Sequence, residues 1–84
     1  MNIQELHKLV GEAVVEQQNT LRFTCAPQMN AALKSCTSMI ECHRFLYAVG
    51  FTLGPSASSE MFGRIQAGES FTEITNDFNL RKLL

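Results

Sequence analysis

The chain has 84 residues, of which 45% are apolar and 18% are charged, and its formal net charge is −1. This balance excludes intrinsic disorder, which needs few apolar residues and a high net charge, and it excludes a polybasic arm or an acidic tail. We expect a single compact helical domain over residues 1–84. The most apolar window, residues 29–53, carries charged side chains near its middle, so no membrane span is predicted.

The first segment is predicted to be an amphipathic helix that ends near residue 18 or 19. Asn2 stands at a capping position, with Glu5 three residues later. A stripe with the 3.6-residue period of a helix follows and comprises Ile3, Leu6, Val10, Ala13, Val14 and Gln17. Residues 21–25 then alternate apolar and polar types, which predicts a short extended segment, either a connector or a strand paired between two subunits.

The middle of the chain, from residue 28 to about residue 50, is predicted to be one central helix. Pro27 suits the first position of a helix, and Gly50, Gly54 and Pro55 end it. Its apolar residues form two adjoining stripes, the first with Met29, Ala32, Leu33, Cys36, Ile40, His43 and Tyr47, the second with Met39, Cys42, Leu46 and Val49. A helix that is apolar over more than half its circumference is usually covered from two sides. Ile40 is therefore expected in the core, where Ile40→Asp should unfold the domain.

Two short helices are predicted in the last third of the chain. Ser58 is assigned as the cap of the third helix and Gly68 as the left-handed residue that ends it. The third helix is expected to bury Met61, Phe62 and Ile65, and the fourth begins at a capping box formed by Ser70 and Glu73. The predicted fold is mainly α: a small bundle of about four helices around a central apolar helix, with one short extended segment near residues 21–25.

Cysteine and histidine side chains are the candidates for chemistry. Cys25, Cys36 and Cys42 are odd in number and follow no export signal, which favours free thiols in a reducing cytoplasm. Cys42 and His43 are helical neighbours that point about 100° apart, so they do not form a nucleophile–base pair. The cysteines lack the two close pairs typical of zinc sites, and phosphate-binding loops are missing. We predict no catalytic residue, no metal site within one chain and no cofactor.

Residues 65–80 contain a helix, a short glycine turn, a capped helix and a second turn with Asn79 and Leu80. This pattern resembles the first half of some helix-turn-helix DNA-binding proteins. The resemblance implies a recognition helix that begins near Leu80. It also implies a dimeric regulator that would contact DNA through Arg64, Arg81 and Lys82.

The end of the predicted central helix is the candidate partner-binding surface. Tyr47, Phe51 and Leu53 lie where the chain turns at Gly50 and Gly54, and connecting segments run over the surface. Aromatic residues are favoured as interface anchors. The other interpretation is that Met61, Phe62 and Ile65 of the third helix cover this patch.

We therefore expect a small non-enzymatic protein-binding module in the cytoplasm, of accessory, adaptor or inhibitor type, that acts by steric blocking or bridging. Small accessory proteins of phages and mobile elements share this profile. The expected partner is another protein, and self-association stays open. Clustered basic residues are few, so nucleic acid is not the favoured partner. The DNA-binding regulator is kept as the alternative hypothesis.

Overall fold

A computed structural model describes residues 2–82, apart from the side chains of His7, Val10 and Lys82, and any prediction about those side chains lies outside the described residues. Residues 2–82 form five α-helices and no β-strand. The helices are α1 (Ile3–Phe23), α2 (Ala26–Lys34), α3 (Met39–Ala48), α4 (Pro55–Gln66) and α5 (Phe71–Lys82). The chain is thus mainly helical, as predicted. The number of helices exceeds four because the predicted central helix is two helices.

Helix α1 begins as predicted but is longer. The side-chain oxygen of Asn2 accepts a hydrogen bond from the Glu5 backbone N–H at 2.8 Å. The helix then continues to Phe23, so the prediction of an extended segment at residues 21–25 is wrong. Leu21 packs against the core, and the Arg22 guanidinium donates to Asn76 of α5 at 2.9 Å. These tertiary contacts outweigh the β-propensity of the local sequence.

The predicted central helix is interrupted at residues 35–38, between α2 and α3. The Ser38 hydroxyl accepts a hydrogen bond from the Glu41 backbone N–H at 3.2 Å. The Glu41 carboxylate in turn accepts from the Thr37 backbone N–H and hydroxyl, at 3.2 and 2.8 Å. Ser-x-x-Glu is the sequence of a capping box, so residues 37–41 encode a new helix start.

Because α3 starts anew, its buried face does not continue the stripe of α2. Cys42 and Leu46 are buried, whereas Ile40 is 59% exposed and Tyr47 is 70% exposed. The expectation that Ile40 belongs to the core is therefore wrong, and the prediction that Ile40→Asp unfolds the domain loses its physical basis.

The core lies between α2, α3, α4 and α5, and the segment after α3 enters it. Phe51 of this segment is buried and meets Phe71 of α5 edge-on, with 5.3 Å between ring centroids and 63° between ring planes. Gly50 precedes Phe51 with φ +86°, a conformation that favours glycine and turns the aromatic ring inward. The largest fully buried apolar side chains are Leu33, Leu46, Met61, Ile65, Phe71 and Ile74.

Helix α4 begins earlier than predicted. Gly54 is its N-cap and Pro55 its first residue, so the assignment of Ser58 as the cap is wrong. Ser58 is instead a fully buried residue of the helix. Among the residues expected to be buried, Met61 and Ile65 are buried and Phe62 is half-buried.

The turn between α4 and α5 follows the prediction. Gly68 has φ +101°, the left-handed conformation expected after a helix, and the Ser70 hydroxyl accepts the Glu73 backbone N–H at 3.2 Å. Helix α5 is continuous through Leu80, so no new helix begins there. The recognition helix implied by the helix-turn-helix resemblance is not formed by residues 80–82.

Gly50→Ala is expected to lower the free energy of unfolding by about 1–3 kcal/mol, because an alanine is strained at its left-handed φ of +86°. A Cβ at this position would overlap the side-chain amide of Gln17. Gly63→Ala is the matched control: Gly63 lies inside α4 with nothing within 4 Å of the added carbon, so the helix should gain about 0.5–1 kcal/mol. Urea unfolding of both variants measures these opposite changes in the free energy of unfolding. Equal changes in the two variants would contradict the turn geometry at Gly50.

Leu46→Ala is expected to lower the free energy of unfolding by about 2–5 kcal/mol, because it leaves a cavity in the core. Ile40→Ala, six residues earlier on the same helix, removes a side chain that faces solvent and should change stability by less than about 0.5 kcal/mol. Denaturant unfolding of the two variants checks this order. A larger loss for Ile40 would mean that α3 is rotated relative to the structure described above.

Candidate functional site

The three residues predicted to bind a partner do not form one surface. Tyr47 projects from α3 and is 70% exposed, Leu53 is half-buried, and Phe51 is buried against Phe71. Phe51 is therefore a core residue, and an exposed patch made of all three is wrong. The segment after α3 packs against the core instead of lying on the surface: Phe51 belongs to the core cluster, and Leu53 packs against it.

Tyr47 has two exposed neighbours on α3 that the sequence did not single out as an interface. Ile40, Arg44 and Tyr47 follow the i, i+4, i+7 spacing of one helix face, and all three are exposed. We call them the α3 strip. The apolar pattern places Ile40 and Tyr47 on the predicted stripe, and the break at residues 35–38 changes the face of the helix on which they lie.

The N-terminal half of α1 carries an exposed apolar face. Every side chain that the structure describes between residues 2 and 13 is exposed. Ile3 is 71% exposed, Leu6 50% and Leu9 49%, and they lie with Ala13 on one side of the helix. We call these four residues the α1 stripe. Among the described residues, the side-chain contacts of α1 with the rest of the molecule come from its C-terminal half, through Gln17, Gln18, Leu21 and Arg22.

A charged face of α1 adjoins the α1 stripe and is formed by residues 5, 8, 12 and 16. Glu5, Lys8, Glu12 and Glu16 are all exposed, and three carboxylates against one ammonium leave a charge of −2 there. Apolar and charged faces are thus separated along the same exposed segment. A surface helix with this arrangement normally turns its apolar side to a protein neighbour.

The thiols of the core are inert by environment. Cys36 and Cys42 are buried, and burial raises the pKa of Cys42 to about 11. Burial, together with the charge of Glu41, also raises the pKa of Cys36. A raised pKa keeps a thiol protonated, and the protonated form is not the nucleophile.

His43 bonds to Ser58 rather than to a cysteine. Its Nδ1 lies 2.7 Å from the Ser58 hydroxyl oxygen, fifteen residues away on α4. The pair has the composition of a nucleophile and a base, but Ser58 is fully buried, so no substrate reaches its oxygen. The bond satisfies a hydroxyl inside the α3–α4 contact. The sequence does not indicate this pair, because its pattern predicts Ser58 as a helix cap and not as a buried residue inside α4.

The basic residues considered as DNA contacts are engaged with carboxylates. Arg64 binds Glu60 at 3.1 Å, Glu69 at 2.8 Å and Asp77 at 2.7 Å, and Arg81 binds Asp77 at 2.6 Å and also pairs with Glu60. These guanidinium groups lower the pKa of all three carboxyls through hydrogen bonds. The network joins α4 to α5 across the Gly68 turn. The side chain of Lys82 lies outside the described residues.

A cleft of about 610 Å³ opens between α1, the N-terminal part of α4 and α5. Phe51 and Leu53 contribute to its wall from the segment after α3, and Phe78 contributes from α5. Its ionisable lining residues are Arg22, Glu60 and Arg81. Volumes of this size are typical of small-molecule sites, which combine apolar walls with a few polar groups.

Arg22 differs from the other two arginines described in this region. Its terminal nitrogens donate to neutral amide oxygens: Asn76 accepts at 2.9 Å, and Asn79, in the amide orientation that its hydrogen bonds favour, accepts at 2.6 and 2.8 Å. Its Nε is buried without an acceptor among the described atoms. In the part of the chain that the structure describes, no carboxylate pairs with Arg22.

Stability should fall between pH 9 and pH 11 because of Cys42. The thiol has a pKa of 9.0 in the unfolded chain and of about 11 in the folded chain. Above pH 9 the unfolded chain therefore gains stability by losing the proton, whereas the folded chain keeps it. The free energy of unfolding should fall by up to about 3 kcal/mol between pH 9 and pH 11. Chemical unfolding of the parent chain and of Cys42→Ala at pH 8, 9.5 and 11 measures the effect. Cys42→Ala should show a smaller loss, and equal losses would contradict the assignment.

Among residues 2–82, no helix combines the length and the apolar character that a membrane span requires. The side chains described by the structure also include no group of three or more His, Cys, Asp or Glu residues that could hold a metal ion. No protein family, curated protein or solved structure matches this chain. Its function is therefore inferred from the geometry of the described residues.

Proposed function

We propose that this chain is a small non-enzymatic protein-binding module of the cytoplasm, of accessory, adaptor or inhibitor type, and that the α1 stripe is its principal contact surface. The observation that carries the proposal is the exposure of Ile3, Leu6 and Leu9 on one face of a helix segment that the described part of the chain does not cover. The three free thiols are compatible with a reducing compartment.

The energetics of this segment favour a partner. Isolated helices shorter than about 12–15 residues are marginal in water. Gly11 lies inside the exposed half of α1 and costs about 1 kcal/mol relative to alanine. Burial of an isoleucine or leucine side chain contributes about 1.5–3 kcal/mol, so a partner that covers Ile3, Leu6 and Leu9 offsets this cost and stabilises the helix.

The form of the surface points to helix-in-groove recognition, in which a few apolar anchors enter a hydrophobic groove. The charge of −2 on the adjoining face of α1 complements basic residues at the rim of such a groove. We therefore propose a protein partner with an apolar groove and a basic rim. Occupation of that groove by α1 would block whatever else binds there.

The α3 strip supplies a second contact surface and supports an adaptor role. Arginine and tyrosine are enriched among the residues that dominate binding energy, and Arg44 and Tyr47 are both exposed on this strip. The α1 stripe and the α3 strip belong to different helices. A chain with two such surfaces can bridge two proteins.

The alternative function, a dimeric helix-turn-helix-like DNA-binding regulator, uses the α4–Gly68–α5 unit. In this hypothesis Arg64, Arg81 and Lys82 contact DNA. It requires Arg64 and Arg81 to exchange their carboxylate partners for phosphates. Affinity for duplex DNA that falls steeply with added salt would support it.

The test places a photoreactive benzoylphenylalanine at position 6 of the full chain and, in a separate variant, at position 8 on the charged face. Illumination in cells that express the chain naturally should crosslink one protein from position 6 and little from position 8. The purified partner should then bind the Ile3→Glu, Leu6→Glu double variant at least about 100-fold more weakly, because two buried anchors are lost. Calorimetric titration measures this change.

Val15→Glu is the matched control, because Val15 is also an exposed apolar residue of α1 but lies on another face. It should leave the affinity within about threefold of the parent, and circular dichroism should show equal helix content for all variants. Crosslinking of a second copy would identify self-association as the mode. Equal crosslinking from positions 6 and 8, or unchanged affinity of the double variant, would overturn the proposal.

A further inference from the structure

We propose that the cleft between α1, α4 and α5 binds a small monoanion with an apolar body, such as an aromatic or medium-chain organic acid, and that Arg22 pairs with its charged group. This site is separate from the α1 stripe and the α3 strip. It gives the chain a ligand-binding role beyond protein recognition.

The walls of the cleft suit an apolar body. Its apolar lining includes Val15 of α1, Phe51 and Leu53 of the segment after α3, and Phe78 of α5. Phe51 is fixed by its edge-on contact with Phe71, so this part of the wall does not depend on a ligand for its position. A volume of about 610 Å³ falls within the range of pockets that enclose small molecules.

Polar contacts join opposite walls of the cleft. Gln18 donates to the Thr52 hydroxyl at 3.1 Å and connects α1 to the segment after α3. Arg22 connects α1 to Asn76 of α5, and the pairing of Arg81 with Glu60 connects α5 to α4. These three contacts hold the four elements of the wall in place before a ligand enters, which reduces the entropy that binding would cost.

The electrostatics of the lining favour an anion. Two arginines and one glutamate line the cleft, and Arg81 and Glu60 pair with each other. Arg81 is neutralised by Glu60 and Asp77, so the uncompensated charge belongs to Arg22.

Arg22 is incompletely satisfied by the described residues. Neutral amides of Asn76 and Asn79 accept from its terminal nitrogens, and its buried Nε has no acceptor. A partly buried charge without an opposite charge is costly. A carboxylate or sulfonate can bind a guanidinium through two parallel hydrogen bonds, which are about twice as strong as those to neutral groups. Such a group, in place of a neutral amide at the terminal nitrogens, would give Arg22 the opposite charge that the described residues do not supply.

The test uses two fluorescent probes with the same aromatic body. 8-Anilinonaphthalene-1-sulfonate carries one negative charge, and N-phenyl-1-naphthylamine carries none. The full chain should bind the sulfonate at one saturable site, more tightly than the neutral probe, and octanoate should displace it. Arg22→Met should weaken sulfonate binding at least tenfold and leave the neutral probe within twofold. Arg22→Lys should recover part of the loss, because it keeps the charge but not the bidentate geometry.

Three controls separate this site from others. Arg44→Met removes an exposed arginine of the α3 strip and should change neither probe. Ala57→Leu fills the cleft from α4 and should weaken both probes at least tenfold. The Ile3→Glu, Leu6→Glu variant, which removes the α1 stripe, should bind both probes as the parent does.

A second measurement does not depend on how well the Arg22 variants fold. The ¹⁵N resonance of the Arg22 Nε–H in the parent chain should shift on addition of the sulfonate, with the same dissociation constant as the fluorescence. The proposal is overturned if binding is unsaturable, if Arg22→Met binds the sulfonate as tightly as the parent, if the α1 variant abolishes binding, or if the Arg22 resonance does not move.

Discussion

The contact between Phe51 and Phe71 holds the segment after α3 against the start of α5, and much of the molecule depends on it. Phe51 reaches this position only because Gly50 adopts a positive φ beside the Gln17 side chain of α1. The same contact buries one residue of the segment and leaves Leu53 at the cleft. This aromatic pair thus fixes the segment after α3 in the core and positions part of the wall of the cleft.

Local signals in the sequence predict the turn between α4 and α5 well. Gly68 and the Ser70 cap define the turn between α4 and α5, because each works through bonds within a few residues. The break at residues 35–38 is also encoded locally, by the cap that Ser38 and Glu41 form. The apolar residues on both sides of it keep a helical spacing, however, and this spacing predicts one continuous helix. The helical state of residues 21–23 is different in kind: it depends on partners such as Asn76, more than fifty residues away.

The candidate sites also combine features that the local sequence predicts with features that depend on long-range contacts. Exposure of Tyr47 agrees with its assignment as a surface residue, whereas burial of Phe51 results from a long-range contact that residue spacing does not encode. The amphipathic pattern of α1 was evident from the sequence, but whether another helix covers it is a property of the assembled fold. Arg22 could not be singled out among the basic residues, because only the fold shows which arginines meet carboxylates.

Helix α1 is one continuous helix, but its two halves should differ in local stability. Its C-terminal half is anchored through Leu21 and Arg22, so backbone amides there should open only when the whole domain unfolds. The described contacts of the N-terminal half are its own hydrogen bonds and the Asn2 cap, so its amides should open by local fraying. Two cooperative units therefore meet within one helix, and covering the outer unit would lengthen the rigid part of the molecule without altering its core.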